Sequence, residues 1–389
     1  MNFGIICEFN PFHAGHKYLF DRARELGAKN IVCVMSGNAV QRGELAIVDK
    51  YSRAKSALEN GADLVLELPF PWSSASAEFF ASAGISALSP YCDAVIFGSE
   101  CGDVELLSKA ANRATEFDFM NNLANRINKG EGAAAAYFSL LEEHIGTKLS
   151  SNDNLGIEYI KAAILKNAGL DFYTVRRIGN AYRDNNIIEG KTPSASAIRQ
   201  AIRDGASGEM LASLGYIDTA IQAAISEGAI TDDRLLERAI LLHFRLCNPS
   251  ELSSYAESDG GIAERICTAA RNNADFNGFW NDVKTKRYTD ARLRRAMLFC
   301  LTRVRRELLL TKPEYLYLLA ANENGRKLLS RVKKSNSENA ITVVTKPADA
   351  PRDSEQFAVE ERLNALFSIA RKNSLCMGDA YRKNAFIIK

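Results

Sequence analysis

At 389 residues the chain exceeds what one hydrophobic core usually serves, so two domains are expected. Hydrophobic residues at 47% and charged residues at 25% are those of an ordinary soluble globular protein, and a net charge of +2 means that any polyanion must be met by a local basic patch. The eight cysteines (Cys7, Cys33, Cys92, Cys101, Cys247, Cys267, Cys300, Cys376) form no CxxC pair, which argues against a zinc site or a disulfide framework. With no export signal and no run near the ~20 apolar residues of a membrane span, a cytoplasmic protein with reduced thiols and no membrane partner is expected.

The first 200 residues alternate strand and helix signals. The apolar run Phe3 to Cys7 is followed by Glu8-Phe9-Asn10-Pro11-Phe12, and His13-Ala14-Gly15-His16 opens a helical pattern that stops at Gly27. Asn30 to Met35 reads as a buried parallel strand and leads into Ser36-Gly37-Asn38 and a loop with Gln41-Arg42-Gly43-Glu44. A helix over about 50–60, a strand over Asp63 to Leu68, a helix over Ala75 to Leu88 and a strand over Ala94 to Phe97 follow, the last running into Gly98-Ser99-Glu100. Residues 103–170 are helical, with Leu155 to Leu170 well patterned behind Ser151-Asn152-Asp153-Asn154, and Phe172 to Arg177 is a fifth strand candidate. Repeated βα units argue for a parallel α/β sheet, in which ligands bind beyond the carboxyl ends of the strands.

Those ends carry the chemically suggestive residues. A helix N-terminus collects unpaired N–H groups and the positive pole of the helix dipole, so it favours phosphate or carboxylate. His13 and His16, two of only four histidines in the chain, add donors there. A second such N-terminus follows Pro193, where Ser194 and Ser196 precede a helix bearing Arg199. Asn152 serves either as a helix cap or as a ligand contact.

EFNPFHAGH, SGNAVQRGE, ALENGADLVLELP, FGSE, SNDNLGIEY and PSASAIR, in this order, resemble the bacterial tRNA(Met) cytidine acetate ligase family within the HIGH-type nucleotidyltransferase superfamily. The likeness covers most of residues 1–200 and continues into KRYTDARLRR; Phe9 stands where tyrosine is commoner, and Tyr182-Arg183-Asp184 where Tyr-His-Asp is expected. The resemblance implies a Rossmann-like α/β domain over 1–205 and a mainly α-helical, basic, tRNA-binding domain over 206–389. It implies a ligase that attacks the α-phosphate of ATP with acetate to give acetyl-adenylate, then acetylates N4 of the wobble cytidine (position 34) of elongator tRNA(Met).

On that resemblance the ATP site comprises Cys7, Glu8, Phe9, Asn10, Pro11, Phe12, His13, Gly15 and His16, with Gly98, Asn152, Arg177, Ile178, Ser194 and Ser196. His13, His16 and Arg199 are the catalytic candidates, Mg²⁺ enters as the ATP complex, and Arg42 holds acetate or a phosphate. Glu8 beside phosphates calls for a Mg²⁺ or faces the tRNA amine.

From about Gly205 the chain turns helix-rich, with an apolar run from Tyr315 to Leu319. Lys284 to Arg306 holds nine Lys or Arg against the single acid Asp290. One helix there is expected to carry a basic face for tRNA phosphates, with Lys286, Arg287, Arg292, Arg294 and Arg295 as contacts and Tyr288 available to stack on a base. Arg326, Lys327, Arg331, Lys333 and Lys334 are read as an extension of that surface. The competing readings are an adenylyltransferase for a phosphorylated small metabolite, which needs no basic helical domain, and a non-catalytic nucleotide-binding RNA adaptor.

Overall fold

The structure, a computed structural model, describes residues 1–177, 193–335 and 340–388. Its strands are β1 (Asn2–Cys7), β2 (Asn30–Ser36), β3 (Ala39–Val40), β4 (Glu44–Leu45), β5 (Leu64–Leu68), β6 (Ala94–Ser99), β7 (Asp171–Arg176), β8 (Tyr315–Ala321), β9 (Thr342–Val344) and β10 (Phe386–Ile387). The main sheet has the order β10-β8-β5-β2-β1-β6-β7, with β9 also on β8, while β3 and β4 pair only with each other. From β5 through β7 every pairing is parallel, and Cys7 lies opposite Met35, Ser36 opposite Leu68, and Ser99 opposite Arg176. The carboxyl ends of five strands therefore face one edge.

Both faces of β1 are buried, and its side chains alternate as a strand requires. Phe3, Ile5 and Cys7 join a core with Phe20, Ala54 and Ala57 from helices Ala14–Glu25 and Lys50–Glu59. Ile6 points the other way, into a core with helices Ala77–Leu88 and Ser151–Lys166.

The second half is mainly helical but also returns strands to the sheet. Its helices run from Gly208–Ser213 to Arg306–Leu309, and one cluster of them has its own core around Phe244, Ile266, Phe279 and Leu293. The chain then re-enters the sheet. Tyr315 to Ala321 is a fully buried strand antiparallel to β5, so the apolar run is sheet core rather than helix, and β9 and β10 add to it. Seven residues with no polar interruption suit a strand buried on both faces.

The helix Glu323–Lys334 lies against the start of β5: Asn322 N–H donates to Asp63 O at 3.0 Å, and Gly325 packs on the same carbonyl. Its N-terminus thus sits at the sheet edge opposite the five carboxyl ends, and because β9 lies parallel to β8 the helix runs back across the sheet, carrying Arg331, Lys333 and Lys334 in its last turn toward the other edge. Among the described residues, no helix is long and apolar enough to cross a membrane.

Candidate active site

After β1 the chain turns sharply. Phe9 adopts a left-handed φ of 45°, and its ring packs against Phe12, Phe20 and the edge of His16, with centroids 4.8–5.7 Å apart. Cys7, Phe9, Asn10, Pro11 and Phe12 are buried, so their side chains build the turn. Asn10 Oδ1 accepts the N–H of Ile47 at 2.8 Å, tying the turn to the neighbouring loop.

His13 caps the helix Ala14–Glu25. Its Nδ1 accepts the N–H of Gly15 at 3.0 Å, and its own N–H donates to His16 Nδ1 at 3.2 Å. Because both Nδ1 atoms accept, each neutral ring carries its proton on Nε2, which becomes its donor. Burial, then Arg177 and Arg199, hold His13 down at about 4; burial, then His13 and Arg177, hold His16 well below the usual histidine range. The rings lie 3.9 Å apart. A Cβ on Gly15 would meet His13 Cε1 at 2.8 Å, so only glycine lets the imidazole fold back onto this helix end.

The second helix N-terminus comes to the same place. Ser194 caps Ala195–Arg203 by accepting the N–H of Ala197, and its Oγ lies 3.0 Å from Ser196 Oγ. Arg199 Nη1 donates to Asn10 O at 2.8 Å, which draws this helix onto the histidine turn across 189 residues of sequence. Glu8 Oε1 accepts the Gln41 N–H at 2.9 Å. Burial raises the Glu8 carboxyl, opposed by Arg199 and Arg42, which places Arg42 within electrostatic reach.

Gly98, Asn152 and Arg177 also converge, at the ends of β6 and β7. A Cβ on Gly98 would stand 3.3 Å from Arg177 Cγ, so the glycine makes room for that arginine. Asn152 is not the helix cap: Ser150 is, through a capping box with Asp153. Asn152 Nδ2 instead donates to Glu100 Oε1 at 2.6 Å, and Arg177 Nε lies 3.7 Å from the same oxygen. Ile178 and Tyr182-Arg183-Asp184 lie outside the described residues.

Residues 1–380 match the family described as HIGH Nucleotidyl Transferase. The tRNA(Met) cytidine acetate ligase of Caldicellulosiruptor bescii is 34% identical over 339 residues, covering 85% of this chain and 84% of that protein. The tRNA(Met) cytidine acetate ligase of Limosilactobacillus reuteri is 36% identical over 359 residues, covering 90% and 91%. The crystal structure of Thermotoga maritima TmcAL bound with alpha-thio ATP superposes with a TM-score of 0.87 at 28% identity, covering 100% of both chains. The chain belongs to the tRNA(Met) cytidine acetate ligase family.

Sequence reading missed the side chains that hold this ligase-family site together. Arg53 is fully buried beneath it, donating to the carbonyls of Glu8, Ser36, Gly37 and Val48, and burial pushes it down to about 10. Lys50 and Arg53 share the face of their helix that also buries Ala54 and Ala57. Cations at apolar-stripe positions were the available signal. Glu44 bridges two arginines, Arg294 at 2.5 Å and Arg199 at 3.9 Å. Beside it Gly43, at φ 75°, presses on helix Asp290–Thr302, where a Cβ would meet Arg295 N at 2.5 Å.

That helix corrects the expected basic face. Lys286 and Arg287 precede it and are exposed, while Arg303, in the left-handed region, ends it. Arg295 is only 8% exposed and pairs through Nε and Nη2 with Glu257, so it is a structural cation out of reach of RNA. Arg292 pairs with Asp259 at 2.7 Å and Arg294 with Glu44. Tyr288 is not free to stack: Arg287 and Arg292 cover its ring, and its hydroxyl donates to Gly260 O at 2.9 Å. The acids that neutralise this segment come from distant stretches, which a local count of charges cannot see.

Proposed function

We propose that the protein is an ATP-dependent ligase that activates acetate as acetyl-adenylate and acetylates N4 of the wobble cytidine of elongator tRNA(Met). The observation that carries this reading is the helix N-terminus bearing two imidazoles with depressed pKa, with Arg199 bonded to the adjoining turn. A carboxylate oxygen of acetate attacks the α-phosphorus, the bond to the β-phosphate oxygen breaks, and pyrophosphate leaves. The reaction brings anions together, so the site must supply fixed donors and positive charge. His13 and His16 offer Nε2–H beside the helix dipole. Ser194, Ser196 and Arg199 hold the β- and γ-phosphates, Gly98, Asn152 and Arg177 take the nucleoside, and Arg42 holds acetate or a phosphate.

In the second step cytidine N4 attacks the acetyl carbonyl carbon, AMP leaves, and N4 gives up one proton. Glu8 suits that proton: burial raises its affinity, and one carboxylate oxygen stays clear of the Gln41 N–H. Among the described residues, no group of three or more His, Cys, Asp or Glu is placed to hold a metal. The chain therefore suits a Mg²⁺ that arrives on the triphosphate with phosphate oxygens and water as most of its ligands. Lys286 and Arg287, with Arg292 and Arg294 at the margin, meet tRNA phosphates, and the cytoplasm is where ATP and tRNA are available.

Incubation with ATP, labelled acetate and transcribed tRNAs tests this. AMP, pyrophosphate and label on elongator tRNA(Met) are expected. AMP and pyrophosphate with no labelled tRNA would refute the RNA half, and no AMP at all would refute the adenylation.

A further inference from the structure

Glu100 collects three separate groups at the nucleoside side of the site. Its Oε1 accepts from Asn152 Nδ2 at 2.6 Å and lies 3.7 Å from Arg177 Nε; its Oε2 accepts from Ser150 Oγ. Its own backbone N–H is held by Asp153 Oδ1 at 3.0 Å, and the Cys101 N–H by the same oxygen at 3.2 Å. Asp153 is buried and Glu100 half-exposed, so a fixed scaffold aims a carboxylate into a partly open space.

A carboxylate only accepts hydrogen bonds, so it dictates which way a neighbouring amide points. Asn152 must turn its NH₂ toward Glu100, and its Oδ1 is left as the outward acceptor, with no hydrogen-bond partner among the described residues. An outward amide oxygen accepts from the 6-amino group of adenine, while the second amide hydrogen can reach a ring nitrogen, the pairing asparagine makes with adenine edges. Guanine presents O6 at that position, and two acceptors face each other. We infer that Glu100 is a positioning residue which, by fixing the amide of Asn152, makes the site select adenine over guanine nucleotides. This rests on the assignment of Asn152 to the nucleoside made above.

Equilibrium binding of ATP and of GTP to the full chain, compared for the wild type, Glu100→Ala, Asn152→Ala and the double variant, tests the inference without depending on acetyl transfer. Glu100→Ala should reduce the ATP-to-GTP affinity ratio about tenfold, Asn152→Ala should reduce it similarly, and the double variant should match Asn152→Ala, because one residue acts through the other. A purely structural Glu100 would weaken both nucleotides together, and an unchanged ratio overturns the inference. So does a double variant with a further loss beyond Asn152→Ala. Should Glu100→Ala not fold, an unchanged ratio in Asn152→Ala alone is sufficient to overturn it. Failure of the wild type to bind ATP is a different result, which refutes the nucleotide site itself.

Discussion

Replacing Arg53 tests whether the carboxyl ends of β1 and β2 are held from below. The guanidinium is 0% exposed and donates to four carbonyls, those of Glu8, Ser36, Gly37 and Val48, with no carboxylate in an ion pair with it among the described residues. Hydrogen bonds to a charged group are each worth about 1.5–3 kcal/mol. Four of them set a ceiling of roughly 6–12 kcal/mol by the same figure, but acceptors that share one donor group do not add, and loops partly recover water. Arg53→Met keeps the volume of the stem and should therefore lower stability by about 4 kcal/mol, much of the 5–15 kcal/mol available to a typical domain. Arg53→Lys keeps a charge and three donors but loses the planar fork, and should lose about half as much. Urea unfolding gives both numbers, and ATP affinity should fall in parallel because the Glu8 and Ser36 loops share the clamp. A loss below about 1 kcal/mol in Arg53→Met would show that these carbonyls find water easily and that the clamp is incidental.

Gly15→Ala should leave stability within about 1 kcal/mol, since alanine favours the helix while the His13 cap is lost, yet reduce adenylation at least tenfold because His13 must swing away from the added methyl. Pyrophosphate release measured beside thermal melts separates the two effects, and an active variant with an intact melt refutes the role given to the His13 pose. Arg295→Met should destabilise by about 3 kcal/mol through the stranded Glu257 and leave tRNA affinity unchanged, whereas Lys286→Ala with Arg287→Ala should weaken tRNA binding and flatten its salt dependence by about one unit per residue. Filter binding across a salt series checks both. The pKa of His13 is lowered to about 4 from 6.5, so between those values the unfolded chain binds a proton that the folded one does not, and stability falls as pH drops through that window. The stability gap between wild type and His13→Gln, from urea unfolding, should accordingly be larger at pH 7 than near pH 4.5; a gap independent of pH contradicts the depressed value.

The parallel sheet and the positions of His13, His16 and Gly98 at its carboxyl edge were legible because each lies where a strand pattern gives way to a helix pattern, while Asn152, Ser194 and Arg199 stand at helix starts marked by serines; both kinds of signal are written locally. What stayed hidden is pairing between distant segments. Glu257, Asp259 and Glu44 neutralise a stretch whose own count of nine cations to one acid suggests an open basic face. Tyr315 to Ala321 shows the same limit in apolar residues, since a short run with no polar break suits a buried strand or a buried helix equally, and only its partner β5 decides. Arg53 was hidden for a third reason: a cation on an apolar stripe looks like an irregularity until four carbonyls are seen to converge on it.

Glu44 gives the ion pairs around the site a direction. Asn10 O holds Arg199, Arg199 lies by Glu44, and Glu44 holds Arg294 on the helix whose first turns lie near the proposed tRNA contacts. Arg199 Nε is buried without a hydrogen-bond partner, so the guanidinium is not fully satisfied by this arrangement. A triphosphate that attracts Arg199 competes with Glu44 for it, and an RNA phosphate that attracts Arg294 releases the same carboxylate from its other side. Each ligand therefore acts on an ion pair that the other depends on, and linkage makes any such effect reciprocal. The loop Gln41 to Glu44 is where the two would meet, because Gly43 presses against Arg295 while the Gln41 N–H holds Glu8. On the roles proposed for Arg199 and Arg294, nucleotide activation and RNA recognition share the single carboxylate of Glu44.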